Sequence, residues 1–287
     1  MMMNPKHVLK GDRDNVVVVT VLKDGETEAS KEMLFGDAKE ELRSCGVMPE
    51  TNVATKAIPL LPGWGIGDAL TYFANHAAFG YSASAHLIIG AQGIEGKALQ
   101  AGAKMSSLGS IAQQCLSKVK IPVTIVKAAW GTRDGDRDAF GRPVRAGRDG
   151  NKKTGLHLVV CIDGSPIGDK ALDLATSLCR EGDSMTAVHV ATPDNHEATQ
   201  LCESKYGAEC GKIEMSKKLA KCQFVKVLPG RDNSISHALI DASEEADIFI
   251  MGSIELVDMK KRHVLGSIAM HIAKNASAHM CIVKAFN

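Results

Sequence analysis

Leu108-Gly109-Ser110-Ile111-Ala112 returns 157 residues later as Leu265-Gly266-Ser267-Ile268-Ala269. Ile125-Val126-Lys127-Ala128 returns at the same spacing as Ile282-Val283-Lys284-Ala285. Upstream, Ile88-Ile89-Gly90 answers Ile250-Met251-Gly252, and Leu61-Pro62-Gly63 answers Leu228-Pro229-Gly230. After each Leu-Pro-Gly the same apolar stripe follows at i, i+3, i+4, i+7. It is Ile66, Ala69, Leu70 and Phe73 in one copy and Ile235, Ala238, Leu239 and Ala242 in the other. That spacing is one face of a helix. Order and approximate spacing are kept throughout, so the chain reads as one unit duplicated.

The duplication divides the 287 residues into a unit over 1–130, a Gly/Arg/Asp-rich linker over 131–155, and a unit over 156–287. In the second unit, short apolar runs suit strands buried on both faces: Leu156–Ile162, Met185–Val190, Phe224–Leu228, Ile248–Met251 and Cys281–Ala285. Helical segments alternate with them near Ile167–Cys179, Ala198–Lys221, Ser234–Glu245 and Ser267–Ala276, the second of these broken by Gly207 and Gly211. Strands alternating with helices predict an α/β fold with a doubly wound parallel sheet in each unit. The first unit shows only four strand signals: Val16–Leu22, Val53–Leu60, His86–Ile89 and Val123–Val126. Gly11-Asp12 before the first of them answers Gly182-Asp183 before the second strand of the other unit. The first unit is therefore expected to lack its first strand and most of its first helix. Three remedies are open: direct pairing of strands two and four, filling of the slot by another segment or chain, or a different start site.

Lys plus Arg is 34 and Asp plus Glu is 33, a net charge of +1. That balance argues against a dedicated nucleic-acid binder. Aromatic residues are 4%, too few for a base-stacking platform. No apolar run of membrane-spanning length occurs. The eight Cys stand singly, several inside apolar runs, without zinc spacing. The start Met1-Met2-Met3-Asn4-Pro5-Lys6-His7 has no secretory signal pattern. These features predict a cytoplasmic protein with reduced, buried thiols and no metal site. Gly147-Arg148-Asp149-Gly150-Asn151-Lys152-Lys153-Thr154 resembles a phosphate loop but has Lys152 where the motif needs its second Gly, and no strong strand precedes it.

Ligands of open parallel sheets bind beyond the carboxyl ends of the strands. Asp163-Gly164-Ser165 follows the first strand of the second unit, Gly252-Ser253 ends the fourth, and Gly266-Ser267 opens the last helix. Glycine admits close approach of a phosphate, and the free N–H groups of a helix start favour anions. Asp163 suits an adenine amino group or a ribose hydroxyl. The same residues also suit plain helix capping by Asp163 and Ser165 and a plain helix entry at Gly266.

This arrangement resembles a tandem universal stress protein with its first domain N-terminally incomplete. The residues that carry the resemblance are Val159-Val160-Cys161-Ile162-Asp163-Gly164-Ser165, Ile250-Met251-Gly252-Ser253 and Leu265-Gly266-Ser267-Ile268. It covers nearly all of 156–287, and about 9–128 more loosely. It implies an adenine-nucleotide α-hydrolase-like fold with strand order 3-2-1-4-5. It also implies pairing through the fifth strands, Val123–Val126 and Cys281–Ala285, in a homo- or hetero-oligomer. ATP, with Mg beside it, is implied on a Gly-x2-Gly-x9-Gly-Ser/Thr motif. The second unit departs from that motif with Glu255 three residues after Gly252, and with one residue too many before Gly266-Ser267. The first unit keeps Gly90, Gly93, Gly109 and Ser110 but spaces Gly93 and Gly109 by 15 residues and lacks the Asp. The expectation is a regulatory nucleotide-binding protein without dedicated catalysis beyond slow ATP hydrolysis. The alternative is a scaffold subunit that binds no nucleotide and uses the repeat and the linker, with Trp130 and Phe140 as anchors, for protein contacts.

Overall fold

A computed structural model describes residues 16–22, 28–44, 53–77, 85–91, 108–127, 145–146, 152–153, 155–192, 194, 196–229, 234–244, 246–253, 256–257, 263–276 and 278–284. The elements in chain order are β1 (Val16–Leu22), α1 (Glu28–Ser44), β2 (Val53–Pro59), α2 (Ile66–Ala77), β3 (Leu87–Gly90), α3 (Ser110–Lys118) and β4 (Val123–Val126). Two short strands follow, β5 (Arg145–Ala146) and β6 (Lys152–Lys153), paired antiparallel within the stretch read as a linker. Then come β7 (His157–Cys161), α4 (Pro166–Leu178), β8 (Ser184–Val190), α5 (His196–Lys217), β9 (Lys221–Val227), α6 (Ile235–Ser243) and β10 (Ile248–Ser253). The chain ends with β11 (Leu256–Val257), β12 (His263–Val264), α7 (Ser267–Asn275) and β13 (His279–Lys284).

The main sheet has seven strands in the order β3-β4-β13-β10-β7-β8-β9. Every neighbour is parallel except β4 and β13, which run antiparallel with Met280 opposite Ile125 and Ile282 opposite Val123. The five strands from β7 onward thus stand in the order 3-2-1-4-5 of their own unit. Their side chains alternate between two cores, as the period of two requires. Leu158, Val160, Ile248, Ile250, Cys281 and Val283 pack with α4 and α5 on one face. Val159, Phe249, Met251, Met280 and Ile282 pack with α3, α6 and α7 on the other. The second core runs through the β4–β13 junction, taking in Cys115, Leu116 and Val119 as well as Ile272 and Ala273.

Two lysines 157 residues apart close that junction. Lys127 is 2% exposed and Lys284 is 4% exposed. The Lys127 ammonium donates to the Ala276 carbonyl and the Lys284 ammonium to the Val119 carbonyl. Ala276 and Val119 are the C-cap residues of α7 and α3. Each cation therefore sits on the negative end of the last helix of the opposite unit.

β1 and β2 form a separate parallel sheet. Val16 pairs with Val53 and Ser184 pairs with Lys221, both 37 residues apart, so β1 and β2 answer β8 and β9. Strands two and four of the first unit, β1 and β3, do not pair with each other among the described residues.

The expected break in the long helix at Gly207 and Gly211 does not occur. α5 runs unbroken from His196 to Lys217 because its buried face is Thr199, Cys202, Tyr206, Cys210 and Ile213, a helical stripe of mixed polarity. Both glycines lie on the exposed face, where an added Cβ meets nothing within 4 Å. Gly207→Ala and Gly211→Ala are each expected to stabilise the protein by about 1 kcal/mol through helix propensity, read as a higher midpoint in urea. α1, which the apolar pattern did not announce, buries only Phe35 and Ala38 among its described side chains and leaves Met33 and Leu34 exposed.

Candidate functional site

The carboxyl ends of β7 and β10 lie side by side, with Cys161 opposite Met251. The chain leaves β7 through Ile162 to Asp163 and turns at Gly164, whose φ of +83° favours glycine. A side chain there would also press on the Cys202 sulfur, 3.2 Å from an added Cβ. Asp163 Oδ1 accepts from the Ser165 backbone N–H at 3.0 Å and from the Ser165 hydroxyl at 2.6 Å. Ser165 Oγ in turn accepts from the Gly168 N–H at 3.2 Å and caps α4. Of the two capping roles open from the sequence, Ser165 caps α4, and Asp163 holds the capping residue rather than the helix itself. Asp163 nevertheless stays exposed, at the mouth of the sheet.

Gly252 has a packing role. A Cβ on it would lie 2.8 Å from Ile167 Cγ1 and 2.9 Å from the Ile167 carbonyl oxygen. The glycine lets α4 rest directly on β10. Ser253 is buried and Gly266 stands next to it, with an added Cβ on Gly266 3.8 Å from Ser253 Oγ. The end of the fourth strand and the start of α7 thus meet. Gly266 is the N-cap of α7, with φ −53° and ψ 146°, and no side chain caps that helix. α4 and α6 are capped by Ser165 and Ser234. Ser267 is exposed in the first turn of α7. Asp163, Gly164, Ser165, Gly252, Ser253, Gly266 and Ser267 accordingly occupy one end of the sheet.

The first unit repeats the juxtaposition. The Gly109 N–H donates to the Ala91 carbonyl at 2.8 Å, joining the end of β3 at Gly90 to the start of α3 at Ser110. Gly109 is an N-cap without side-chain capping, as Gly266 is. Gly93 and Glu255 lie outside the described residues, as do Lys260, Lys261 and Arg262, the cations of the loop that follows Glu255 in the sequence.

Sequence reasoning did not single out the floor under Asp163. His189, 2% exposed, donates from Nδ1 to the Ile162 carbonyl at 2.9 Å. A carbonyl can only accept, so Nδ1 carries the proton, and Nε2 meets the Thr199 hydroxyl at 3.2 Å. His189 fixes Ile162, the residue between the end of β7 and Asp163. Cys202 beside it has its thiol pKa raised, by burial first and by Asp163 second. Burial and Asp163 push the Cys161 thiol up to about 12. Neither thiol is a ready nucleophile, because the thiolate is disfavoured at both. Among the described residues no cluster of His, Cys, Asp or Glu has the form of a metal site, and no helix is long and apolar enough to cross a membrane.

The universal stress protein family matches residues 156–284. A universal stress protein of Pseudomonas aeruginosa UCBPP-PA14, described as putative, aligns over 94% of this chain and 82% of its own, at 14% identity and a TM-score of 0.54. A universal stress protein of Archaeoglobus fulgidus aligns over 46% of this chain and 99% of its own, at 16% identity and a TM-score of 0.35. One solved in complex with cAMP aligns over 46% of this chain and 100% of its own, at 18% identity and a TM-score of 0.34. No curated protein matches the chain. The Pseudomonas likeness bears on the fold and spans both halves, whereas the family match is confined to the C-terminal part. Over residues 156–284 the chain is similar to the universal stress protein family.

Proposed function

We propose that the C-terminal unit binds an adenine nucleotide, ATP with Mg, and acts by binding, without dedicated catalysis. The observation that carries this reading is the uncapped start of α7 at Gly266, set against Ser253 and on the same sheet end as the exposed Asp163. A helix start without a side-chain cap offers its N–H groups to an anion. A glycine at that position, without a Cβ, lets a phosphate come close. Asp163 supplies an acceptor for the base or ribose. The residues fit the phosphate end of such a ligand better than the base end, where Asp163 Oδ1 is already committed to Ser165. The cytoplasm is the proposed setting, and the tandem organisation of 1–130, 131–155 and 156–287 is part of the same reading.

Gly266→Ala is the cleanest test. Its φ and ψ are ordinary for alanine, and among the described residues the added methyl carbon comes no nearer than 3.8 Å to a neighbour. Stability is therefore expected to stay within about 0.5 kcal/mol, while ATP affinity in equilibrium dialysis falls about tenfold or more. Asp163→Asn keeps an acceptor for the Ser165 bonds and is expected to weaken ATP by less. Absence of saturable binding to the unaltered protein at millimolar ATP overturns the reading. The scaffold alternative then stands, supported by the departures from the glycine motif in both units.

A further inference from the structure

We propose that Cys210 and Cys222 are a dithiol switch, oxidised by hydrogen peroxide to a disulfide that staples α5 to β9 and undone by a thiol reductant. Cys210 lies on the buried face of α5, between Tyr206 and Ile213. Cys222 is the second residue of β9, which ends the strand order of the main sheet. The helix packs along that strand, and both cysteines belong to the core on its side of the sheet. Glu214 stands one turn after Cys210, and its Oε2 accepts from the Cys222 backbone N–H at 2.6 Å. The turn from helix to strand is short and tied down. The Leu219 N–H donates to the Glu214 carbonyl at 3.1 Å, and the Ala220 N–H to the Asp183 carbonyl at 2.8 Å. These bonds bring the start of β9 under the last turns of α5. They set the two free thiols against each other, joined by a hydrogen bond.

That hydrogen bond separates the pair from the other thiols. Burial disfavours a thiolate, and it is the first cause of the raised pKa at Cys115, Cys161, Cys179, Cys202 and Cys281. Cys210 is the exception among the seven described cysteines. The Cys222 thiol donates to it and holds its pKa below the ordinary thiol value. The same bond, with burial behind it, pushes Cys222 up. Cys210 is therefore the attacking sulfur and Cys222 the resolving one, since the thiolate is the nucleophile. Cys210 is 2% exposed and Cys222 8% exposed, which favours a small oxidant over a bulky disulfide. Local opening at the end of the sheet order gives that oxidant its path.

The chemistry balances in two steps. The Cys210 thiolate attacks one oxygen of hydrogen peroxide. An S–O bond forms, the O–O bond breaks, and the departing hydroxide takes up the proton that Cys210 released, giving water and a sulfenic acid. The Cys222 sulfur then attacks the sulfenic sulfur. An S–S bond forms, the S–O bond breaks, and the Cys222 proton leaves with the hydroxide as a second water. Two thiols are oxidised and one peroxide is reduced. The bond closes the loop 210–222 at the amino end of the strands, away from Asp163 and Gly266, so it forms whether or not a nucleotide binds.

The experiment uses the full chain. Reduced protein is treated with hydrogen peroxide without denaturant, the remaining thiols are alkylated in denaturant, and the peptides are mapped by mass spectrometry. The Cys210–Cys222 cross-link, lighter by two hydrogens and removed by dithiothreitol, is expected to form at least about tenfold faster than any other cysteine is oxidised. It is expected to raise the urea midpoint by about 1 M, a gain lost on reduction. Cys222→Ala is expected to leave Cys210 as a sulfenic acid that dimedone traps. Cys210→Ala is expected to slow oxidation of Cys222 to the rate of the other buried thiols. Earlier oxidation elsewhere, a cross-link that forms only in urea, or an unchanged or lower midpoint overturns the proposal. So does undiminished oxidation of Cys222 in Cys210→Ala. Where a variant fails to fold, the map and midpoint of the unaltered protein decide.

Discussion

Lys284→Ala is expected to lower the unfolding free energy by about 3 kcal/mol, and Lys127→Met to flatten a rise in stability with alkaline pH. The first effect follows from position. The Lys284 side chain is buried, and its ammonium is the donor to the Val119 carbonyl at the end of α3. Truncation removes a charged hydrogen bond, leaves a buried acceptor short of a donor, and empties the space of a four-carbon stem. Lys284→Met keeps the stem and is expected to cost less. Urea denaturation of the three proteins at pH 7 measures both numbers.

The second effect concerns the sign of a burial cost. Burial lowers the pKa of Lys127 from its ordinary value of 10.5 to about 8. Between those two values the unfolded chain holds the proton and the folded chain has released it, so this group makes stability rise with pH. Two and a half units correspond to roughly 3 kcal/mol at most. Other groups oppose it. The Cys161, Cys179 and Cys281 thiols are pushed up to about 12, chiefly by burial, so the unfolded chain loses those protons first and stability falls above about pH 9. The comparison is therefore between wild type and Lys127→Met, in which the cysteine contribution cancels. Wild type is expected to gain on the variant by roughly 2 kcal/mol between pH 7.5 and 10. A constant difference over that range would show that Lys127 is not desolvated as its burial implies.

The lysine pair was visible in the sequence as Ile125-Val126-Lys127-Ala128 and Ile282-Val283-Lys284-Ala285, but only as a repeat. Periodicity reports which residues share an element. It does not report that each lysine crosses to the other unit. The strands were legible because Leu158-Val159-Val160 and Phe249-Ile250-Met251 are buried on both faces, which leaves an apolar run in any reading frame. The stripe of α5 was obscured because Thr199, Cys202, Tyr206 and Cys210 are buried without being strongly apolar. The ladders β5–β6 and β11–β12 are two residues long, below what any period can reveal. The lack of a first-strand signal in the first unit was legible from alignment of the two copies alone. Whether strands two and four pair was not legible, because that is a matter of geometry; among the described residues they do not. At the candidate site, Asp163 was read in two ways, and the distances show that its Oδ1 serves the cap. Gly252 was read for its freedom to approach a phosphate. Its value lies equally in what it permits beneath it, a contact with Ile167, 85 residues upstream in the chain.

Gly252→Ala is accordingly expected to destabilise the protein by about 2–3 kcal/mol, whatever it does to a ligand. Its Cβ would meet Ile167 Cγ1 at 2.8 Å, the Ile167 carbonyl oxygen at 2.9 Å and the carbonyl carbon at 3.0 Å. The side-chain carbon can turn away. The backbone atoms of α4 cannot, short of lifting the helix from β10 and opening the core of Ile167, Ala171, Ile250 and Val283. Thermal unfolding and urea midpoints of Gly252→Ala beside Gly266→Ala separate two uses of glycine that sequence motifs treat alike. One glycine holds a helix against a strand; the other leaves space at a helix start. Loss of nucleotide by Gly252→Ala reports on the fold, and loss by Gly266→Ala at unchanged stability reports on the site. If Gly252→Ala proves as stable as wild type, α4 has room to shift on β10. The same contact would then be too soft to set the distance between Asp163 and the start of α7, and the two ends of the proposed nucleotide site would not be held in register.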